Sequence, residues 1–393
     1  MEKIKIGDVC DILNGYAFKS DEYVNEGIRI IRIANVQKGY IEDSLPAFYP
    51  INFNGLDKYM LKENDLLMSL TGNVGRVALL QKEMLPAALN QRVACLRLKT
   101  DKITKKYLFY ILNSDFFEQQ CIQFSKGVAQ KNMSTEWLKD YEIPLYSIEE
   151  QLEVIEILDK TRNVISLRKK ELLALDNIIK ARFVEMFGDL NINDKGWREI
   201  SLFDACNKLK RYPTFCNMEY LAQGVRVIRI SNILMDGHMD VDDENYVFVY
   251  DGANIDFPDT VIELQDIVMA VRGDGSAAKR IGIIQEEKLV GANISPNLIR
   301  IQAKREIIEP VWLFYYLTSE VGQKRLDAYV NKTAKKNIAA KDIAKIVTPV
   351  PDLNKQKQYV DFANQVNKSK VKVQKALDET QKLFDSLMQQ YFG

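Results

Sequence analysis

Two stretches of the chain place an apolar residue at every seventh position and contain no proline or glycine until their ends. Between Glu149 and Gly188 the series is Leu158, Ile165, Leu172, Ile179 and Met186, with Val154 and Leu175 in a second row. From Lys355 to Gly393 it is Val366, Val373, Thr380 and Leu387, with Leu377, Phe384 and Tyr391 beside them. Heptad spacing is the mark of helices that pack lengthwise on a partner. A helix of roughly 38 residues spans about 57 Å, and a single helix of that length cannot bury its stripe alone. The pattern therefore predicts that the two helices pair, antiparallel; packing of each stripe on its own globular domain alone is the alternative. The segments before them read differently. Ile28–Ile33 and Val225–Ile230 alternate arginine with aliphatics and are expected as strands. Lys105–Ser114 and Pro310–Ser319 are expected as short helices rich in aromatics.

The chain also repeats itself at a distance of about 200 residues, too long for a solenoid and right for a duplicated domain. Ile28-Arg-Ile-Ile-Arg-Ile-Ala-Asn35 matches Val225-Arg-Val-Ile-Arg-Ile-Ser-Asn232, and Gly39 and Gly237 follow. Asp65 aligns with Asp266 and Gly72 with Gly273. Tyr107–Leu112 aligns with Trp312–Leu317, and Ala129–Asn132 with Ala334–Asn337. Pro144 and Gln151 stand seven residues apart, as do Pro349 and Gln356. Phe187-Gly188 matches Phe392-Gly393. The order never changes. The expected architecture is α+β (mixed α/β): two tandem domains separated by two long helices in an antiparallel coiled coil, with an internal pseudo-two-fold. The expected segments are a first domain at 1–148, a helix at 149–189, a second domain at 190–354 and a helix at 355–393.

Composition narrows the chemistry. The 393 residues, 47% of them apolar, are enough for more than one core. No apolar run approaches the length of a membrane span, and the charged start, Met1 to Asp8, is unlike a signal peptide. Five cysteines without a CxxC pair argue against a zinc site or a disulfide framework, and fit reduced thiols in a cytoplasmic protein. The single histidine, His238, cannot build a His-rich metal site, and no serine sits in a GxSxG context. There is no phosphate-binding GxxxxGK[ST] loop and no Asn-Pro-Pro-aromatic or Asp-Pro-Pro-aromatic tetrapeptide. Gly273-Asp274-Gly275 lacks the third glycine of a dinucleotide loop. Asp259, Glu263 and Gln265 only faintly resemble a nuclease carboxylate set and are set aside. Metal ligands and catalytic residues are therefore expected to be absent. The formal net charge is zero, so any nucleic-acid contact must come from local charge.

Local basic and polar loops occur at matching places. Thr71–Arg76, with Asn73 and Arg76, corresponds to Arg272–Arg280, with Arg272, Asp274, Lys279 and Arg280. Glycines there let backbone approach a phosphate, and arginine can reach two acceptors on guanine; an ordinary hairpin turn is the plainer alternative. Asn90, Gln91 and Arg92 correspond to Asn293 and Asn297, residues suited to adenine readout and equally to turns. Lys126, Gln130, Lys131 and Asn132 correspond to Lys332, Lys335, Lys336 and Asn337, ahead of helix starts at Ser134 and Ala339. That is phosphate-site chemistry or a solvated helix start. Lys210, Arg211 and Tyr212 form a basic-aromatic cluster in the second half, and Tyr16 and Phe18 lie early in the first.

Taken together, these features resemble the specificity subunits of type I restriction-modification systems over essentially the whole chain. The most specific element is the order of domain, proline-to-glutamine approach, long helix and Phe-Gly, given twice: Ile143 to Gln151 running to Phe187-Gly188, and Val350 to Gln356 running to Phe392-Gly393. The resemblance implies two target-recognition domains, each reading half of a split double-stranded DNA site, and helices that fix the gap and dock two methyltransferase subunits. Restriction subunits would join outside them. It also implies that catalysis, S-adenosylmethionine, ATP and Mg belong to those partners and that this chain is not an enzyme. A single-chain nuclease or methyltransferase, and a coiled-coil adaptor without DNA, are the competing readings.

Overall fold

The computed structural model describes residues 2–125, 132–212, 219–273, 276–331 and 336–393. Two continuous helices of 40 residues each, Ile148–Phe187 and Leu353–Phe392, frame it. The chain gathers into two compact units, Met1–Lys170 with Gln374–Gly393, and Glu171–Val373. The long helices are thus not segments of their own. Each helix begins in one unit and ends in the other.

Both units are built from the same parts in the same order. In the first, a four-stranded antiparallel sheet runs Cys10–Asn14, Val93–Leu98, Leu66–Ser69, Val77–Leu79. In the second it runs Cys206–Arg211, Leu298–Ala303, Ile267–Ala270, Ile281–Ile283. A smaller sheet centred on Ile28–Ile31 pairs antiparallel with Phe48–Tyr49 and parallel with Ala87–Leu89. Its counterpart centres on Val225–Ile228, between Val247–Val249 and Asn293–Ile294. A two-stranded ribbon leads into each long helix, Glu2–Lys5 with Glu142–Leu145 and Arg198–Ser201 with Val347–Val350. The aromatic helices form at Lys105–Leu112 and Pro310–Thr318. Helices start after Ser134 and Ala339, where expected. The second Arg-aliphatic strand stops at Ile228 because Ile230–Asn232 turns into a short 3-10 helix.

The repeated motifs have structural work to do. Asn35 and Asn232 are buried; each accepts from the backbone of the arginine three residues back and donates to a carbonyl further along, Glu42 or Asn245. Gln151 and Gln356 are fully buried. The Gln151 amide accepts from Thr104 N at 2.8 Å and donates to Lys102 O and Tyr146 O at 2.9 and 3.0 Å. Gln356 accepts from Glu309 N at 2.8 Å and donates to Ile307 O and Pro351 O at 3.2 and 2.7 Å. Each glutamine locks the first turn of a long helix to the start of an aromatic helix, satisfying three groups that would otherwise be buried unpaired. Gly188, at φ +74°, ends the first long helix in the left-handed conformation that favours glycine.

Within each unit the helix segments complete the core. In the first, Val154, Ile155 and Leu158 from the start of one helix and Met388 and Phe392 from the end of the other pack on Tyr107, Leu108 and Ile111. In the second, Tyr359 and Ala363 join Ile179, Phe183 and Phe187 around Trp312. The rings match: Phe392 lies 5.6 Å from Tyr107, and Phe187 lies 5.6 Å from Trp312. The segments run antiparallel in both. Arg168 donates to the Ala376 carbonyl and the Thr380 hydroxyl in the first. In the second, Lys370 pairs with Asp176 at 2.6 Å, and Arg182 lies over Phe362. The heptad positions Leu158, Ile165, Ile179 and Leu377 are buried, and Leu172, Met186, Val366, Val373, Phe384 and Leu387 are half-buried.

One buried ion pair is duplicated with unequal enclosure. Asp65 takes Arg97 Nη2 at 2.6 Å, and Asp266 takes Arg300 Nε at 2.6 Å. The Arg300 side chain is 1% exposed, against 28% for Arg97. Removing one partner of a buried pair strands the other charge. Asp266→Ala is expected to lower unfolding free energy by about 3–5 kcal/mol, and Asp65→Ala by clearly less, in denaturant melts of the two variants. Equal losses would contradict this ranking.

Candidate nucleic-acid interface

The loops singled out by sequence meet at one end of each four-stranded sheet. In the first unit Leu70 N donates to Arg92 O at 2.9 Å, and Gln91 N donates to Tyr16 O at 2.9 Å. Met133 N donates to Leu70 O at 2.8 Å, and the Thr71 hydroxyl donates to Asn132 Oδ1 at 2.8 Å. These bonds draw together the segment after the first strand, the turn after Ser69, the turn before Val93, and Asn132. Gly15 permits the close approach, because a Cβ there would sit 2.3 Å from the Asn90 carbonyl.

The second unit repeats the junction. Val271 N donates to Asn297 O at 2.8 Å, Ile338 N to Val271 O at 3.0 Å, and Gly273 N to Lys336 O at 3.3 Å. Arg272 bridges Asn337 as Thr71 bridges Asn132. Arg211, at the end of its strand, donates from Nε to Pro296 O at 2.7 Å. Its guanidinium is held below the usual arginine range, first by burial and then by the neighbouring Arg272. Two guanidinium groups crowded together favour an anionic or acceptor-rich ligand.

The side chains at these junctions differ in how free they are. Asn73, Gln91, Arg92, Asn132, Arg272, Asn297 and Lys336 are exposed. Arg92, Arg272 and Lys336 form no ion pair among the described residues. Asn90 is half-buried, its Oδ1 accepting from Arg92 N at 3.2 Å. Arg76 is half-buried and donates to Gln37 Oε1, which holds its guanidinium against the neighbouring turn. Asn337 is half-buried, its N–H given to Asn331 Oδ1 at 2.9 Å. Tyr16 and Phe18 are half-buried in an aromatic cluster with Tyr49, Phe53 and Tyr59, their own centroids 5.0 Å apart.

Other candidates lie elsewhere. Asn293 is a correction: it is fully buried in the small sheet, its amide given to Asn254 Oδ1 at 3.0 Å and its Oδ1 accepting from Ile294 N. Tyr212 is also a core residue, 2% exposed and 4.4 Å from the Phe257 ring. Neither presents a surface. Lys279 pairs with Asp327 at 2.6 Å, and Arg280 donates to Ile233 O at 2.7 Å. Lys210 and Lys208 both face Asp259, and the hydrogen bond from Lys210 is the largest cause holding that carboxyl below its ordinary range. Asp259 and Glu263, the faint nuclease pattern, are taken by Lys210 and Arg300. Lys126, Gln130, Lys131, Asp274, Lys332 and Lys335 lie outside the described residues.

Other chemistry is sparse. Among the described residues no cluster of His, Cys, Asp and Glu could hold a metal ion, and no helix is long and apolar enough to cross a membrane. Cys10, Cys95, Cys121 and Cys206 are buried; burial pushes the Cys10 and Cys206 thiols up to about 12 and the other two higher still. His238 stands beside Asp236, whose carboxyl the imidazole holds at about 2.

Comparison with known proteins gives these geometries a context. The family described as "Type I restriction modification DNA specificity domain" matches residues 1–177 and again 194–380. The specificity subunit of the type I restriction enzyme EcoBI from Escherichia coli is 25% identical over 93% of this chain and 78% of its own length. That of MjaVIII from Methanocaldococcus jannaschii is 33% identical over 43% of this chain and 41% of its own length. The crystal structure of a type I restriction-modification S subunit from M. genitalium shares the fold across all of this chain and 96% of the other, at a TM-score of 0.56 and 16% identity. A chain from a structural study of type I restriction-modification complex assembly aligns at 0.58 and 17% identity, over all of this chain and 97% of the other.

The split between free and core side chains is directly measurable. Arg92→Ala and Arg272→Ala are expected to leave unfolding free energy within about 0.5 kcal/mol of the parent. Asn293→Ala strands buried partners and is expected to cost about 1–3 kcal/mol. Denaturant melts check both; a stable Asn293→Ala chain would return that residue to the surface candidates.

Proposed function

This chain belongs to the family of type I restriction-modification specificity subunits, and from that premise we propose that each unit reads one half of a split double-stranded DNA site. The observation that carries the reading is the loop junction formed twice by the same backbone bonds, with different side chains on it: Asn73, Asn90, Gln91 and Arg92 in one unit, Arg211, Arg272, Asn297 and Lys336 in the other. A shared frame with unlike polar surfaces is what two readers of unlike sequences require. Asparagine and glutamine offer adenine a paired donor and acceptor, and arginine offers guanine two donors. Exposed lysine and arginine also neutralise phosphates, which sets register without reading sequence.

The long helices serve as the spacer between the halves, and their exposed faces dock two methyltransferase subunits, with restriction subunits joining where the system cleaves. In this reading the chain itself is not an enzyme. S-adenosylmethionine, ATP and Mg sit on the partners, and the assembly works in the cytoplasm on the cell's own and incoming DNA.

The test is methylation mapping with the cognate methylating subunit and two separate variants. Arg92→Ala is expected to relax specificity in one half of the motif and Arg272→Ala in the other, each by about 1–3 kcal/mol of discrimination. Uniform weakening on every sequence makes the altered side chain a phosphate contact. Relaxation of both halves by either substitution contradicts the one-unit, one-half assignment.

A further inference from the structure

The two units differ where the ribbon turns into the four-stranded sheet. In the first, Gly7 lies in the short helix Ile6–Val9, and a Cβ on it would stand 3.0 Å from Lys139 of the helix Thr135–Asp140. The two helices therefore touch, and the ion pair of Lys5 with Asp140 at 2.9 Å crosses the junction. In the second unit Phe203 occupies the place of Gly7 in the helix Leu202–Ala205, and its side chain stands 70% exposed. Ser201 replaces Lys5, and Ala344 replaces Lys139. The backbone bond that joins the segments is kept, Leu202 N to Ile346 O as Ile6 N to Tyr141 O, but a cavity of about 750 Å³ lies between Leu202–Ala205, Ala340–Ala344 and the first sheet strand.

Charge changes at the same place. Lys210, Lys304, Lys341 and Lys345 line the cavity. Lys341 and Lys345 stand where the first unit has Glu136 and Asp140. Lys304 and Lys99 are true counterparts, since their backbone N–H groups donate to Ala205 O and Val9 O. Lys304 and Lys341 form no ion pair among the described residues, whereas Lys345 is shared with Asp342 at 3.0 Å and Lys210 with Asp259 at 3.0 Å. Such exposed pairs are weak enough for a phosphate to displace. The cavity runs along the first sheet strand, from Cys206 and the neighbouring Lys304 at one end to Lys210 beside the recognition junction at the other. Lys210 precedes Arg211 in the same strand, and Lys341 lies four residues past Asn337.

Resting on the reading of this unit as a DNA reader, we propose that the lysine-lined groove holds the sugar-phosphate backbone of the DNA just outside the second half-site. The lysines supply counter-charge for a phosphate track, and Phe203 offers an apolar edge to the sugars. The first unit sets the exposed carboxylates Glu136 and Asp140 where the second sets Lys341 and Lys345. The bound footprint is therefore asymmetric: it extends further beyond the half read by the second unit than beyond the half read by the first.

The experiment is hydroxyl-radical footprinting, with a salt titration of affinity, on the complex of full chain and methyltransferase subunits. Lys304→Ala with Lys341→Ala is expected to erase protection on the second flank alone, to reduce the salt slope by about 2, and to leave the methylated motif unchanged. Lys99→Ala, in the first-unit junction, changes neither flank. A split footprint with symmetric flanks, or one that the double substitution does not alter, overturns the groove assignment while leaving the half-site reading in place. A wild-type complex that protects no split site overturns the reading on which the groove rests.

Discussion

The structure depends on one constraint: neither sheet domain has a complete core without both long helices. Val154, Ile155 and Leu158 open one helix on the first core, and Met388 and Phe392 close the other helix on it. The second core is completed by Tyr359 and Ala363 together with Ile179, Phe183 and Phe187. Burying a large apolar side chain contributes about 1.5–3 kcal/mol, so several on each side make helix docking inseparable from domain folding. Gln151 and Gln356 add directional specificity, since a rotated or shifted first turn would leave buried carbonyls without donors. A sheet domain fastened in this way has little freedom relative to the helix segments of its own unit.

The duplicated frame separates invariant work from variable work. Asn35 and Asn232, Asp65 and Asp266, and Gln151 and Gln356 hold the same backbone positions in both units. The junction side chains share position and not identity. Arg272 stands where Thr71 stands, each bridging the asparagine ahead of a helix. The exposed side chains can therefore be exchanged without touching the bonds that assemble the loops.

Much of this was legible in the sequence, and the rest was hidden for identifiable reasons. The duplication, the long helices, the aromatic helices and the helix starts after Ser134 and Ala339 follow from order, spacing and capping chemistry. The heptad marked one row of buried and half-buried positions on each long helix. It did not mark Phe183, Met388 or Ala363, which are not among those positions yet join the same cores as Leu158 and Ile179. The role of the paired glutamines was invisible, since their partners lie 47 to 49 residues away in the chain. Asn293 was misread because asparagine suits a base edge and a buried turn equally well. The meeting of the three loops depends on sheet order, which local pattern does not specify.

The central claim is that the paired helices both build the readers and set the distance between the DNA halves. It is tested most directly by inserting one heptad after Leu172 and one after Val373 in the same chain, then mapping methylation with the cognate methylating subunit. Seven residues add about 10 Å of helix, about three base pairs of DNA at 3.4 Å each. The account predicts a motif with both halves unchanged and the unspecified gap lengthened by about that amount, and loss of methylation when only one helix is lengthened. A methylated motif with the original gap would contradict it.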